Sequence, residues 1–134
     1  MIKDILIEKV EDVAVAVIPG TDESGMEEWN VYLINLKQQA IEGVLISSSG
    51  YGNLEGRNIR TSTLRQFFEK INAQDFVKIE WIDKRLFGIT NEFWVSFWCE
   101  GNLLDKRYVF VTESITAQNF TEVPMINRKG VMIR

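Results

Sequence analysis

In the stretch Asn91–Glu100, NEFWVSFWCE, side-chain character changes with a period of two. Phe93, Val95, Phe97 and Cys99 fall on one face, and Trp94, Ser96 and Trp98 on the other. A period of two is the mark of a β-strand. A strand with one wet side has no ordinary use for two indoles on that side, so both faces of this one need a partner. Other segments read the same way. Ile5–Val10 is a short apolar run. VAVAVI, Val13–Ile18, is continuously apolar and rich in β-branched residues, as expected of a strand buried on both faces. Pro19-Gly20 ends it. Trp29–Leu36 and Ile41–Ser49 flank a four-residue connection whose length suits a hairpin. Phe76–Ile82 sets Val77, Ile79 and Trp81 against Lys78 and Glu80, a half-wet antiparallel strand. Lys84–Thr90 reads as a crossing loop, and Leu103–Thr112 as the strand that follows the opening stretch.

Thr61–Ile71 is ambiguous. Leu64, Phe67, Phe68 and Ile71 have the spacing of a helix stripe, and Thr63 with Gln66 resembles a capping box. The β-prone opening Thr-Ser-Thr and the turn-like residues before Phe76 favour a strand paired in a hairpin, and that is the reading adopted. The tail holds one short helical turn near Ser114–Asn119 and then an extended piece. About eight strands separated by regular turn signals predict an all-β fold, an antiparallel β-sandwich of seven to eight strands with Greek-key connections. Residues 1–134 make one domain, with no repeat and no internal linker. The predicted core is Val15, Val17, Val31, Leu33, Val44, Ile46, Val77, Ile79, Trp81, Phe93, Val95, Phe97, Tyr108 and Phe110.

A two-residue turn at Gly101-Asn102 would pair the aromatic strand with its successor. Trp98 then faces Asp105, Ser96 faces Arg107 and Trp94 faces Val109. Arg107 lies beside both indoles, in reach of a cation–π contact of about 0.5–2 kcal/mol. Trp94, Trp98 and Arg107 are the candidate binding residues. A loop or the C-terminal tail, a second copy of the chain, or a ligand or protein partner would cover them. Each indole buries about 150–250 Å². At ~25 cal/mol/Å² the two represent several kcal/mol, a large share of a total stability of about 5–15 kcal/mol.

Composition narrows the chemistry. The 134 residues are 46 % apolar and 25 % charged, ordinary for a globular domain. The net charge of −4 disfavours nucleic acid and anionic membranes as partners. The absence of histidine removes Ser-His-Asp and Cys-His catalysis and a leading metal ligand. A single cysteine, Cys99, within an apolar strand implies a reduced, buried thiol. The N-terminus lacks the apolar run of a signal peptide, and no stretch reaches the ~20 apolar residues of a membrane helix. The expected location is cytoplasmic.

Three further features have a chemical reading. Gly50–Gly56, GYGNLEG, is spaced GxGxxxG rather than GxGxxG and reads as a hairpin connection, not a phosphate loop. Asp22, Glu23, Glu27 and Glu28 share one connection but lack the DxDxDG order of a calcium loop. Glu92 and Glu100 flank the aromatic strand. A carboxylate pair at an aromatic platform is the glycosidase arrangement, although nothing in the sequence fixes their separation.

NEFWVSFW followed by DKRYVF, with WNVYLIN upstream and KGV near the C-terminus, resembles a set of short proteins of Bacteroidetes-type bacteria, some of which carry the label phenylalanyl-tRNA synthetase subunit. The residues do not support that chemistry, because the motif arginines that clamp ATP and the necessary length of chain are missing. The resemblance implies a family without an established activity and carries over no functional residue. The reading is a non-enzymatic interaction or accessory module without cofactor or metal, binding a protein partner or itself as a homodimer. The alternative is a small-ligand or carbohydrate-binding module using the same aromatics, and a glycosidase-type enzyme stands behind both.

Overall fold

A computed structural model describes residues 10–134. The expected strand Ile5–Val10 lies, apart from its last residue, outside the described residues. Among the described residues, ten strands form two antiparallel sheets packed face to face, with 3₁₀ turns at Lys84–Gly88 and Ala117–Asn119. The strands are β1 (Val13–Thr21), β2 (Glu27–Asn35), β3 (Ile41–Leu54), β4 (Arg57–Arg60), β5 (Leu64–Ile71), β6 (Asp75–Ile82), β7 (Thr90–Cys99), β8 (Asn102–Phe110), β9 (Thr121–Val123) and β10 (Arg128–Ile133). The first sheet has the order β6-β2-β1-β10-β9. In the second, β3 is flanked by β7 and then β8 on one side, and by β4 and β5 end to end on the other. The ambiguous segment is a strand. The count exceeds the expected seven to eight because β4 and β9 are too short to announce themselves and the extended piece of the tail pairs as a strand, β10. No helix among the described residues is long and apolar enough to cross a membrane.

Two expected hairpins are not hairpins. β2 pairs with β1 and β6, whereas β3 pairs with β4, β5 and β7, so the connection at residues 36–40 crosses between sheets. β5 and β6 likewise lie in different sheets. A short connection is compatible with either geometry. What decides is that apolar faces on both strands can also be buried against each other across the sandwich.

The core lies between the sheets. Val13, Val15, Val17, Val31 and Leu33 of the first sheet meet Val44, Ile46, Phe93, Val95, Phe97, Tyr108 and Phe110 of the second, and all are essentially inaccessible. Phe93 and Phe110 meet edge to face at 5.9 Å. β1 is buried on its outer side as well. Ala14, Ala16 and Ile18 pack under Val123, Met125 and Ile126 from the tail. Small residues there let this roof approach. Gly130 serves the same end, since a Cβ would stand 2.5 Å from the Val17 carbonyl oxygen.

Trp81 departs from the predicted core and is 56 % exposed. The β2–β6 register shifts at Val31/Tyr32, so Ile79 and Glu80 together oppose one residue of β2. This bulge inverts the alternation beyond it. Ile82 turns inward and is buried, and Trp81 turns out.

The Tyr108 hydroxyl ties the two sheets together by donating to the Val13 carbonyl at 2.6 Å. Burial pushes the phenol above its usual range. Tyr108→Phe removes this bond without opening a cavity. The expected loss is about 0.5–1.5 kcal/mol, read as a lower urea midpoint with an unchanged m-value.

Candidate functional site

Strand β7 is hydrogen-bonded on both sides, to β3 and to β8. Its odd-numbered residues from Asn91 to Cys99 all enter the core, so its even-numbered residues must project from the outer face of the second sheet. Three rows of side chains cross that face. One runs Arg65, Ser47, Trp94, Arg107, the next Phe67, Leu45, Ser96, Asp105, and the third Lys70, Glu42, Trp98, Leu103. Trp94 is 47 % exposed and Trp98 48 %. Among the described residues no loop covers them, and the C-terminal tail packs on the other sheet. Leu45, Phe67 and Leu103 are exposed beside them. Beside the Trp94 indole lies an open trough of about 420 Å³ lined by Leu45, Ser47, Trp94, Ser96, Leu103 and Asp105.

The β7–β8 turn is Glu100-Gly101, not Gly101-Asn102. Both turn residues have positive φ, 49° and 82°, the requirement of a type I′ turn. Trp94 therefore faces Arg107 and Trp98 faces Leu103. Arg107 serves one indole rather than two, its Cζ lying 5.9 Å from the Trp94 ring centroid. Trp98 instead lies across Gly43, which sits at φ +56° in an irregularity of the β3–β7 pairing. A Cβ on Gly43 would stand 3.2 Å from Trp98 Cδ1. The missing side chain lets the indole lie down on the sheet.

A polar ladder organises the end of the face near Trp94. Glu92 Oε1 accepts from the Tyr51 hydroxyl at 3.2 Å and lies 3.7 Å from Arg107 Nε. Arg60 stacks over the Tyr51 ring, Cζ to centroid 5.7 Å. Tyr51, Arg60, Leu45, Phe67 and Leu103 were not singled out in the sequence. The signal for Tyr51 was present, since it extends β3 at the same period as Leu45 and Ser47. Leu103 was hidden by the turn placement, and Phe67 by its helix-like spacing.

The remaining candidates separate. Glu92 and Glu100 stand eight residues apart, roughly 26 Å along a strand, whereas a glycosidase pair needs about 5–9.5 Å. Glu100 lies in the turn. The glycine stretch continues β3 to a Glu55-Gly56 turn and leads into β4, so no helix N-terminus stands there to hold a phosphate. Of the four acidic residues Asp22, Glu23, Glu27 and Glu28, three have their own partners. Asp22 accepts from Ser24 and Met26 and is held below the usual carboxylate range, chiefly by the Ser24 hydroxyl. Glu27 pairs with Lys84, and Glu28 accepts from Asn30. Among the described residues no three acidic or cysteine side chains converge on a point.

Glu80 is the one carboxylate that the bulge turns inward. It accepts from Ser48 Oγ at 2.7 Å, at a cavity of about 30 Å³ that Ser62, Leu64 and Asn91 also line. Burial raises its pKa above the ordinary 4.5, opposed by the Ser48 hydrogen bond. A raised carboxylate in a cleft has the look of an acid catalyst, but this cleft holds about one water molecule.

No family model matches the chain, and the searches of curated proteins and of solved structures give no match either.

Because the folded pKa of Glu80 exceeds its unfolded value, its favourable contribution is complete below pH 4.5 and is lost as pH rises through the raised value. Glu80→Gln, which keeps an acceptor for Ser48, is expected to raise stability at pH 7. The gain should vanish toward pH 4, as urea midpoints across that range would show.

Proposed function

We propose that this chain is a non-catalytic cytoplasmic interaction module that docks a protein partner on the outer face of its second sheet. One observation carries the reading: Leu45, Phe67, Trp94, Trp98 and Leu103, each 41–64 % exposed, adjoin one another on a single face. Together they expose several hundred Å² of apolar surface, comparable with or above the largest patch on an ordinary monomer, about 300–600 Å². Tryptophan and arginine are the residues in which binding energy concentrates. Here they are flanked by Arg65, Lys70, Glu42 and Asp105, a charged rim around an apolar centre. Mixed rim charge together with a net charge of −4 favours a protein over a nucleic acid.

A second reading rests on the trough itself. Its lining includes the Ser47 and Ser96 side chains, Asp105 and one indole, that of Trp94. That combination suits a sugar ring, which stacks on one surface and hydrogen-bonds at its rim. The exposed Leu45, Phe67 and Leu103 lie outside what a sugar needs, and for that reason the protein reading is preferred.

Trp98→Asp separates the readings. Trp98 is about half exposed and its change should leave the circular dichroism spectrum and melting temperature nearly unaltered. A protein captured from native cytosol by the wild type should be lost with the variant. Capture unaffected by the substitution would refute the docking face, and unfolding of the variant would assign the indole to the core. A rise in melting temperature with an oligosaccharide, absent in Trp94→Ala, would decide for the sugar-binding alternative.

A further inference from the structure

A sheet edge is a row of unpaired N–H and C=O groups, and proteins usually blunt it. Four of the outer strands here are blunted. β4 and β9 have four and three residues. β6 carries the bulge at Ile79–Glu80. β8 turns a lysine inward: Lys106 Nζ lies 5.2 Å from the Tyr108 ring centroid and 3.5 Å from the Val10 carbonyl oxygen. β5 is different. It has eight residues, LRQFFEKI, contains no proline, and keeps one register against β3, with only the Gly43–Glu69 step unpaired. Among the described residues it pairs with β3 alone. Phe67 at its middle is 64 % exposed.

The charges on this edge are self-complementary. Arg65 and Phe67 project from the outer face opposite Ser47 and Leu45. Phe68 packs against the core and Glu69 follows it on the exposed side, next to Lys70; the pleat breaks between these two, because Ile71 is buried again. If a second copy lies antiparallel with Phe67 opposite Phe67, Arg65 of each copy faces Glu69 of the other. Sliding by two residues sets Arg65 against Phe67 or Ile71 instead. Sliding by one sets outer side chains against inner ones. A single register satisfies both charge and face.

We propose that β5 is a self-association edge, at which a second copy of this chain adds antiparallel about a two-fold axis at Phe67. The two second sheets then form one continuous sheet. The apolar outer face runs from one copy into the next through the facing Phe67 rings. Edge pairing buries less than the ~1,200–2,000 Å² of a standard interface, so the dimer is concentration-dependent. The edge shares Arg65 and Phe67 with the margin of the tryptophan face but not the indoles, so Trp98→Asp tests the docking face and the Arg65–Glu69 charge swap tests the edge.

Sedimentation velocity of the full chain, from micromolar to near-millimolar concentration, should show a monomer–dimer equilibrium. Arg65→Glu turns two symmetry-related attractions into repulsions and should weaken association on the order of tenfold. Adding Glu69→Arg should restore it. With Cys99→Ser as background, Phe67→Cys should give a disulfide-linked dimer under mild oxidation, because only a residue at the axis faces itself. A wild type that stays monomeric at near-millimolar concentration would overturn the proposal. So would a dimer indifferent to Arg65→Glu, a charge swap that folds but fails to restore association, or a dimer abolished by Trp98→Asp alone.

Discussion

The pleat of β7 is the constraint from which the rest follows. Hydrogen-bonded between β3 and β8, the strand cannot rotate about its axis. Phe93, Val95 and Phe97 are almost fully buried between the sheets, each worth about 1.5–3 kcal/mol against exposure. No repacking that exchanged the two faces of β7 would keep that burial. The outward projection of Trp94 and Trp98 is therefore a consequence of the core and not of anything on the surface. The surface has adapted around them, through the missing side chain at Gly43 under one indole and the Arg107 guanidinium beside the other.

The same pleat explains what was legible in the sequence. Faces were readable wherever alternation was strict. β1, β7 and β8 put the anticipated residues inward, and β1 is covered on both sides as its unbroken apolar run implies. The β7–β8 register was misplaced by two residues, because nothing in Glu100-Gly101-Asn102 says which pair takes positive φ. A shift of two preserves every face. It changed the neighbour of each indole but not the surface to which both belong. Trp81 was misassigned for the opposite reason. A bulge at Ile79–Glu80 adds one residue, and one residue reverses a face. Connections were the least legible, since the short links after β2 and β5 read as hairpins and are in fact crossings between sheets. Their lengths allow both, and only burial of distant strands decides.

Electrostatics sort the carboxylates without reference to motifs. Glu92 sits between the Tyr51 hydroxyl and Arg107 and organises one end of the outer face. Asp22 and Asp83 satisfy turns. Asp83 accepts from the Arg85 side chain and backbone, which together lower it to about 2. Such groups are held ionised and are poor proton donors. Glu80 is shifted the other way, but by burial beside a cavity of single-water size. Among the described residues, the carboxylate that burial pushes upward thus lies at a cleft of single-water size and away from the open trough beside Trp94.

Edges and faces are treated unequally by this molecule. Two of its edge strands are shortened, one is bulged, and β8 turns a half-buried lysine stem toward the Tyr108 ring. Those devices suppress indiscriminate strand pairing. Alongside them the fold leaves two indoles, a phenyl ring and two leucines in water on one face. A sequence that guards its polar edges with such care is not careless with apolar area. Replacing Leu103 or Phe67 by a polar residue would disturb none of the core contacts made by β5 and β8. Exposure of these side chains is therefore not forced by packing, unlike that of the indoles' backbone positions, and it lies beside the single long edge left unblunted. Association at β5 and docking on the outer face would draw on one continuous surface, with Phe67 at the boundary between them.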